Sequence, residues 1–283
     1  MKKILLLIAG IGLLCAAVSC GSEDVPDAPQ RGDGVFVVNT PMINHIVNIS
    51  NGQVLGVAST HNKLTIDTVN HMAWLELHYL DGNTEKTVKL DGAKAKPKRL
   101  GFYELESSSD ANFSGYVDFN EGVMRYRYIT GNGLRVISIM PEVFFLKTES
   151  TITYDDTTAS NKTENTMYQF TINPSQQTAT VKVMDIVHAK DLKRFINITA
   201  NGVPYTATTN GFTINAENLK TNAQYMAYVD STGSSVATTD KYPFRTFNAT
   251  IDLANDHLDA HYMIGNSATV TATGRTYPDY TAY

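Results

Sequence analysis

The sequence has few cysteines, and both lie at its N-terminal end. Cys15 and Cys20 are the two cysteines among 283 residues. The chain after Cys20 therefore has no disulfide bond and must be stabilised by its own hydrophobic core. It is long enough for one large domain or two small ones.

The sequence also lacks the local motifs of common enzymes. No nucleophile elbow surrounds a serine, and no glycine-rich phosphate loop precedes a helix. The net charge of −5 at pH 7 argues against nucleic acid and against electrostatic binding to a membrane. We therefore expect a protein that is not an enzyme, needs no cofactor and binds no nucleic acid. A hydrolase is the least favoured alternative.

The one long hydrophobic run lies at the N-terminus. Lys2 and Lys3 precede the apolar stretch 4–18, which is too short to be a permanent transmembrane helix, and Ala17-Val18-Ser19 leads into Cys20. These features are typical of a secretory signal. They resemble the lipobox of bacterial lipoproteins, which implies that residues 1–19 are removed and that Cys20 carries a lipid. Ordinary secretory cleavage near the same place is the alternative.

Residues 20–34 form a tether rich in Asp, Pro and Gly, which we expect to be disordered. Glu23 and Asp24, close behind Cys20, resemble the surface-export signal of lipoproteins from Bacteroidota. The resemblance implies a lipid-anchored outer-membrane protein at the cell surface, where another outer-membrane protein is a possible partner. A solvated acidic linker is the alternative.

Helical periodicity is scarce, whereas Thr, Val, Tyr and Asn, which suit β structure, are common. One stretch, 113–132, is repeated without a gap at 247–266. The hairpin segment 64–77 is repeated in the same way at 170–183. The two offsets differ, and we expect an insertion or a short helix at 217–230 to explain the difference.

Each copy holds about seven or eight short strands, as antiparallel sandwiches and barrels do. We predict an all-β protein of two tandem antiparallel β-sandwich or barrel-like repeats, 35–141 and 142–274, before a polar tail at 275–283. One joint barrel or sandwich is the alternative. We also expect the strand 102–105 to pair with 212–214 in the second half. The basic segment 93–99 is expected to be a solvated loop, with an anion-binding patch as the alternative.

The aromatic residues supply the candidate ligand-binding positions. Trp74 is the single tryptophan, and strand alternation places it opposite the apolar face of its strand. An exposed Trp suits contact with a sugar ring, although packing under a neighbouring loop or the second domain is the alternative. The candidate binding set is Trp74, Tyr79, Tyr126 and Tyr128.

Two polar patterns resemble catalytic or metal sites. His257, Asp259 and His261 share one strand face, so they are the candidates for a metal ion. The opposite face is the apolar one, which makes them an ordinary solvent face, and we predict no metal site. The repeated Asp118 and Asp252 suggest an acid and base pair, but their repetition favours a role in closing turns.

Three tripeptides of Asp, then Ser or Thr, then Thr or an apolar residue resemble the O-glycosylation acceptor of Bacteroidota. The acceptor hydroxyls would belong to Thr68, Thr157 and Ser231. Each tripeptide lies in a predicted turn or loop.

The signal, the acidic tether and the duplicated β halves together resemble surface lipoproteins of Bacteroidota. The segments 171–183 (TINPSQQTATVKV) and 247–265 (FNATIDLANDHLDAHYMIG) resemble calycin-like or lipocalin-like β modules. The resemblance implies a non-enzymatic, lipid-anchored protein of the cell envelope that binds a glycan or another small nutrient ligand. A structural or adhesive, fimbria-like surface subunit with a displaceable edge strand is the alternative.

Overall fold

The computed structural model describes residues 34–107, 112–120, 122–154, 160–188, 193–230, 233–266 and 268–275. Every regular element in these ranges is a β-strand, and none of the described residues forms a helix suited to crossing a membrane. The signal sequence, Cys20 and nearly all of the tether and tail lie outside them. The chain forms two compact units, one ending at Met140 and one beginning at Pro141, with Gly52–Val57 grouped with the second.

The first unit is a closed antiparallel barrel of eight strands that follow one another in chain order. Closure comes from the first and last strands, where Ile43 faces Ile139 and Asn48 faces Leu134. The strands are β1 (Val35–Asn48), β2 (Val54–Asp67), β3 (Met72–Asp81), β4 (Thr84–Arg99), β5 (Phe102–Glu106), β6 (Ser114–Asp118), β7 (Val123–Ile129) and β8 (Leu134–Ile139).

Alternation of apolar and polar residues explains the strands of the barrel. In β3, Ala73, Leu75 and Leu77 are buried in the barrel core, whereas Trp74 and Glu76 between them face outward. Each outward residue keeps its polar or amphipathic groups near water while its neighbours fill the interior.

The segment 93–99 belongs to strand β4 and is not a loop. Ala93 and Ala95 are buried in the core while the lysines at 94, 96 and 98 are exposed, which is strand alternation made of small and charged residues. Lys96 pairs with Glu106 at 2.6 Å and Lys98 with Glu104 at 2.9 Å across β5. Both lysines are therefore engaged in ion pairs with the neighbouring strand.

The second unit is an open antiparallel sheet of eleven strands in the order β13-β14-β17-β18-β19-β9-β10-β11-β12-β15-β16. The strands are β9 (Glu142–Tyr154), β10 (Ser160–Asn173), β11 (Thr178–His188), β12 (Lys193–Pro204), β13 (Thr206–Thr208), β14 (Gly211–Leu219), β15 (Asn222–Asp230), β16 (Gly233–Thr239), β17 (Phe244–Asp252), β18 (His257–Ile264) and β19 (Ala268–Arg275). The all-β prediction with two tandem repeats is thus confirmed, and because β1–β8 close by themselves, one joint barrel is excluded.

The two units repeat the same strand pairings in the same register. Leu64 faces Leu75 in the first unit, and Phe170 faces Val181 in the second, so both partners have moved by 106 positions. The hairpins β6–β7 and β17–β18 are related by the larger offset of 134, since Val117 faces Met124 and Ile251 faces Leu258. Strands β9–β12, β14 and β17–β19 therefore correspond to β1–β4, β5 and β6–β8.

The main departure from the repeat is the hairpin β15–β16, which lies between β14 and β17 in the chain. In the first unit β4 pairs with β5. In the second unit the corresponding β12 pairs with β15 instead of β14. The expected insertion is therefore present, but it is a β-hairpin and not a helix. The expected pairing of 102–105 with 212–214 is wrong, because β5 pairs with β4 and β6.

Candidate functional site

The single tryptophan lies on the outer wall of the barrel. Trp74 is 40 % exposed, whereas its neighbours on the opposite face of β3, Ala73 and Leu75, are buried. Its Cα partner on β2 is Thr65. On the β4 side it faces a β-bulge between Leu90 and Ala93, where two residues oppose one. One of those two is Gly92, so no side chain from that position covers the indole.

Polar side chains border the indole on the same face. Glu76 follows Trp74 on the outer side of β3, and Lys89 lies 3.4 Å from its carboxylate. Thr65 supplies a hydroxyl on the neighbouring strand. The face combines one large aromatic surface with a hydroxyl, a carboxylate and an ammonium group.

The second unit lacks this aromatic surface. The position that corresponds to Trp74 is Thr180, 106 residues later, and its hydroxyl donates to Asn201 Oδ1 at 3.2 Å. Asn201 belongs to the equivalent bulge, since the β11–β12 register also shifts between Ala179 and Val181. The two units therefore share the strand pairing and the bulge, and they differ in the side chain that faces outward at this position.

The three candidate tyrosines lie inside the barrel, not beside Trp74. Tyr79 and Tyr128 meet edge to face with their rings 6.2 Å apart. Tyr126 stacks on Phe113 and is buried with its hydroxyl 3.4 Å from Met124 Sδ. Burial raises the pKa values of all three phenols. Because the barrel wall separates them from Trp74, the four residues do not form one site.

The barrel interior also holds a polar cluster that the sequence analysis missed. Asn44, Thr60, Asn62 and Ser138 are buried. Asn44 Nδ2 donates to Thr60 Oγ1 at 2.6 Å, and Ser138 Oγ donates to Asn44 Oδ1. Strand alternation could have predicted that Asn44 points into the barrel, because it lies two residues from each of the inward-facing Met42 and Ile46.

The cluster holds the barrel wall where two strands separate. The regular pairing of β2 with β3 stops at Lys63 and Glu76. Beyond that point Asn62 Oδ1 accepts from the backbone N–H of His78 at 2.7 Å, and Thr60 Oγ1 donates to its carbonyl at 2.6 Å. Side chains therefore replace backbone hydrogen bonds, so we assign this cluster a structural role.

The three metal candidates do not converge on one point. His257 Nε2 lies 3.1 Å from Asp259 Oδ1. The His261 ring is instead hydrogen-bonded to Thr271 Oγ1, with Nδ1 at 3.1 Å. In the described part of the chain, no group of three or more His, Cys, Asp or Glu side chains has an arrangement that would hold a metal ion.

The repeated aspartates close equivalent turns. Asp118 Oδ1 accepts from the backbone N–H of Asn120 at 2.9 Å, and Asp252 Oδ1 accepts from that of Asn255 at 2.9 Å. Asp118 is fully buried and also pairs with Arg99 at 2.6 Å. Each carboxylate is engaged with its own turn, which is the arrangement expected of structural residues.

Thr68 is the one O-glycosylation candidate within the described residues. It is buried, and its Oγ1 both accepts from Gly34 N at 3.0 Å and donates to Gly34 O at 3.1 Å. A sugar on this hydroxyl would have to displace both bonds. Thr157, Ser231 and the lipidation residue Cys20 lie outside the described residues.

The fold and these sites define an all-β protein of two related antiparallel units. No known protein-family model matches the sequence, and no curated protein matches it. Among solved structures, the chain is similar to the isotype 1 transferrin binding protein B from serogroup B Neisseria meningitidis. Identity is 8 %, the match covers 87 % of this chain and 77 % of that one, and the TM-score is 0.25. At this TM-score the similarity defines neither a shared fold nor a shared ligand.

Proposed function

We propose that this chain is a non-enzymatic, lipid-anchored protein of the cell envelope that binds a glycan on the outer face of its first barrel. Trp74 is the platform for the sugar, and Cys20 carries the lipid. The observation behind this proposal is the exposure of the single tryptophan on an outer face where the next residue of β3, Glu76, and the cross-strand partner, Thr65, are polar.

The chemistry of the face suits a sugar ring. The indole carries partial negative charge on its flat surface, which attracts the C–H groups on one side of a pyranose. The hydroxyls at the edge of the ring need hydrogen-bond partners, and Thr65, Glu76 and Lys89 supply them nearby. A few placed polar groups around an apolar surface are typical of small-molecule sites.

The closed barrel fixes the backbone of this face. Trp74 lies on β3, which is paired on both sides, so the strand that carries the indole is already ordered before a ligand binds. Rigid presentation lowers the entropic cost of association. The lipid anchor would keep the face at the envelope.

A glycan-array screen of residues 35–283 tests the proposal, because this segment contains every strand that the structure describes. We expect at least one glycan to bind and to change the tryptophan fluorescence, which reports on Trp74 alone. Trp74→Ala should weaken the affinity at least tenfold, or about 1.4 kcal/mol, in isothermal titration calorimetry. Trp74→Phe should retain part of the affinity.

Thr180→Ala is the matched control, since Thr180 is the residue of the second unit that corresponds to Trp74. It should leave the dissociation constant unchanged. An array without any bound glycan, or full affinity in a folded Trp74→Ala variant, would refute the proposal.

A further inference from the structure

The inserted hairpin gives the second unit a free strand edge. β15 pairs with β12 on one side and with β16 on the other. β16 is then the last strand of the eleven-stranded sheet, whereas the closed barrel of the first unit has no edge. Among the strands that the structure describes, none pairs with the outer row of backbone N–H and C=O groups on β16.

This edge lacks the features that normally prevent strands from pairing between molecules. Exposed edges are usually protected by charged side chains, by proline or by being very short. β16 has the sequence GSSVATT, with seven residues, no charge and no proline. The opposite edge of the same sheet, β13, has only three residues.

The hairpin also exposes an apolar pair on its outer face. Met226 and Val236 are direct cross-strand partners and are 37 % and 57 % exposed. On the other face of β15, Tyr225 packs against Phe195 with the rings 6.1 Å apart. The buried face explains how the hairpin is held, but it does not explain why the outer face is apolar.

The sequence of β16 is suited to pairing with itself. Val236 is its central residue, with three residues on each side, and the flanking side chains are small or hydroxylic. Two antiparallel copies related by a two-fold axis at Val236 would have no charge repulsion. They would place the two valines opposite each other with Met226 from each copy beside them.

We propose that β16 is an interface at which two copies of this chain join, pairing antiparallel about a two-fold axis through Val236. The partner is a second copy because the edge is self-complementary, as isologous interfaces must be. Such pairing closes after two copies and does not form a polymer. The proposed lipid anchor, by holding both copies in one membrane, would raise their effective concentration. The inference is independent of glycan binding.

Disulfide trapping tests the register. Residues 35–283 contain no cysteine, so a single Val236→Cys substitution introduces the only thiol. The proposed axis brings the two copies of position 236 face to face, within the Cα separation of about 4.4–6.8 Å that a disulfide needs. We expect most of this variant to run as a covalent dimer after mild oxidation.

Thr238→Cys is the control on the same strand and face. In the proposed register its two copies stand about 13 Å apart, four residues along the paired strands, which is too far for a disulfide. Thr208→Cys on β13 tests the other edge of the sheet. Neither control should form more than a trace of dimer.

Sedimentation equilibrium without cysteine substitutions gives the second measurement. The parent segment should show a monomer–dimer equilibrium, and Val236→Lys should shift it to monomer with unchanged far-UV circular dichroism. A Val236→Cys protein that stays monomeric, or equal cross-linking at positions 236 and 238, would overturn the proposal.

Discussion

Two tyrosine hydroxyls in the second unit are buried and hydrogen-bonded to each other. The contribution of such a hydroxyl to stability depends on its hydrogen-bond partners. Tyr168 OH lies 2.9 Å from Tyr262 OH and 3.2 Å from Ser150 Oγ. All three residues are buried. Removing the central hydroxyl would leave the other two without this partner in a medium where unpaired polar groups are costly.

We expect Tyr168→Phe to lower the free energy of unfolding by about 1–3 kcal/mol, measured by urea denaturation with circular dichroism. Tyr205→Phe is the matched control, because the buried Tyr205 hydroxyl has no hydrogen-bond partner among the described residues. Its stability should not fall, because removing a buried hydroxyl without a partner breaks no hydrogen bond. Equal losses in the two variants would show that the tyrosine chain contributes nothing.

At the scale of the strand, the duplication extends to the backbone. The bulge on β4 contains Gly92 and the bulge on β12 contains Gly202, with φ values of 73° and 66°. The turn residues His71 and Gln177 also match, with φ values of 56° and 52°. Left-handed positions are unfavourable for most residues, so their repetition shows that both copies keep the same turn geometry.

Gly92→Ala and Gly202→Ala should each destabilise the protein by about 1–2 kcal/mol, the cost of a left-handed residue with a Cβ. Sterics are minor, because an added Cβ has open space at Gly202 and meets only the end of Met72 at Gly92. Gly56→Ala is the control, since its backbone is not left-handed and nothing lies within 4 Å.

Urea denaturation followed by circular dichroism measures these variants, and Trp74 fluorescence follows the first unit separately. Gly56→Ala should not lower stability. If Gly92→Ala and Gly202→Ala are as stable as the parent, the left-handed bulges do not require glycine.

At the scale of the whole molecule, buried tyrosines link stability to alkaline pH. Burial raises the pKa of Tyr168 to about 12, and it raises those of Tyr126, Tyr128 and Tyr262 well above the ordinary value. Below pH 10 the phenols are protonated in both states, so the stabilisation is complete. Above pH 10 the unfolded chain releases protons that the folded chain retains, and stability falls.

We expect the protein to unfold between about pH 10 and pH 12, because each such tyrosine removes about 1.4 kcal/mol per pH unit in that range. Absorbance at 295 nm should show these phenols ionising together with the loss of the β-sheet circular dichroism signal. Tyr126→Phe should reduce the slope of the unfolding free energy against pH by the contribution of one proton. Ionisation of all 15 tyrosines near pH 10 with the sheet intact would contradict this expectation.

The sequence by itself determined the features that depend on alternation and repetition. Successive side chains of a strand point to opposite faces, so the outward position of Trp74 and the inward positions of Tyr126 and Tyr128 follow from their neighbours. Repetition of Asp118 as Asp252 indicated a turn role, because a turn needs the same residue wherever its geometry recurs. The same logic, applied to 93–99, would have revealed β4.

Only the tertiary structure decided which strands meet and which faces are covered. Arg125 points outward, yet it is buried, and Thr68 lies in a turn, yet its hydroxyl is bonded to Gly34. The hairpin β15–β16 takes the place beside β12 that β5 holds beside β4 in the first unit, and this opens the second sheet. Local sequence patterns indicate the alternation of each strand. Whether β12 pairs with β14 or with β15 depends instead on contacts between residues distant in the chain.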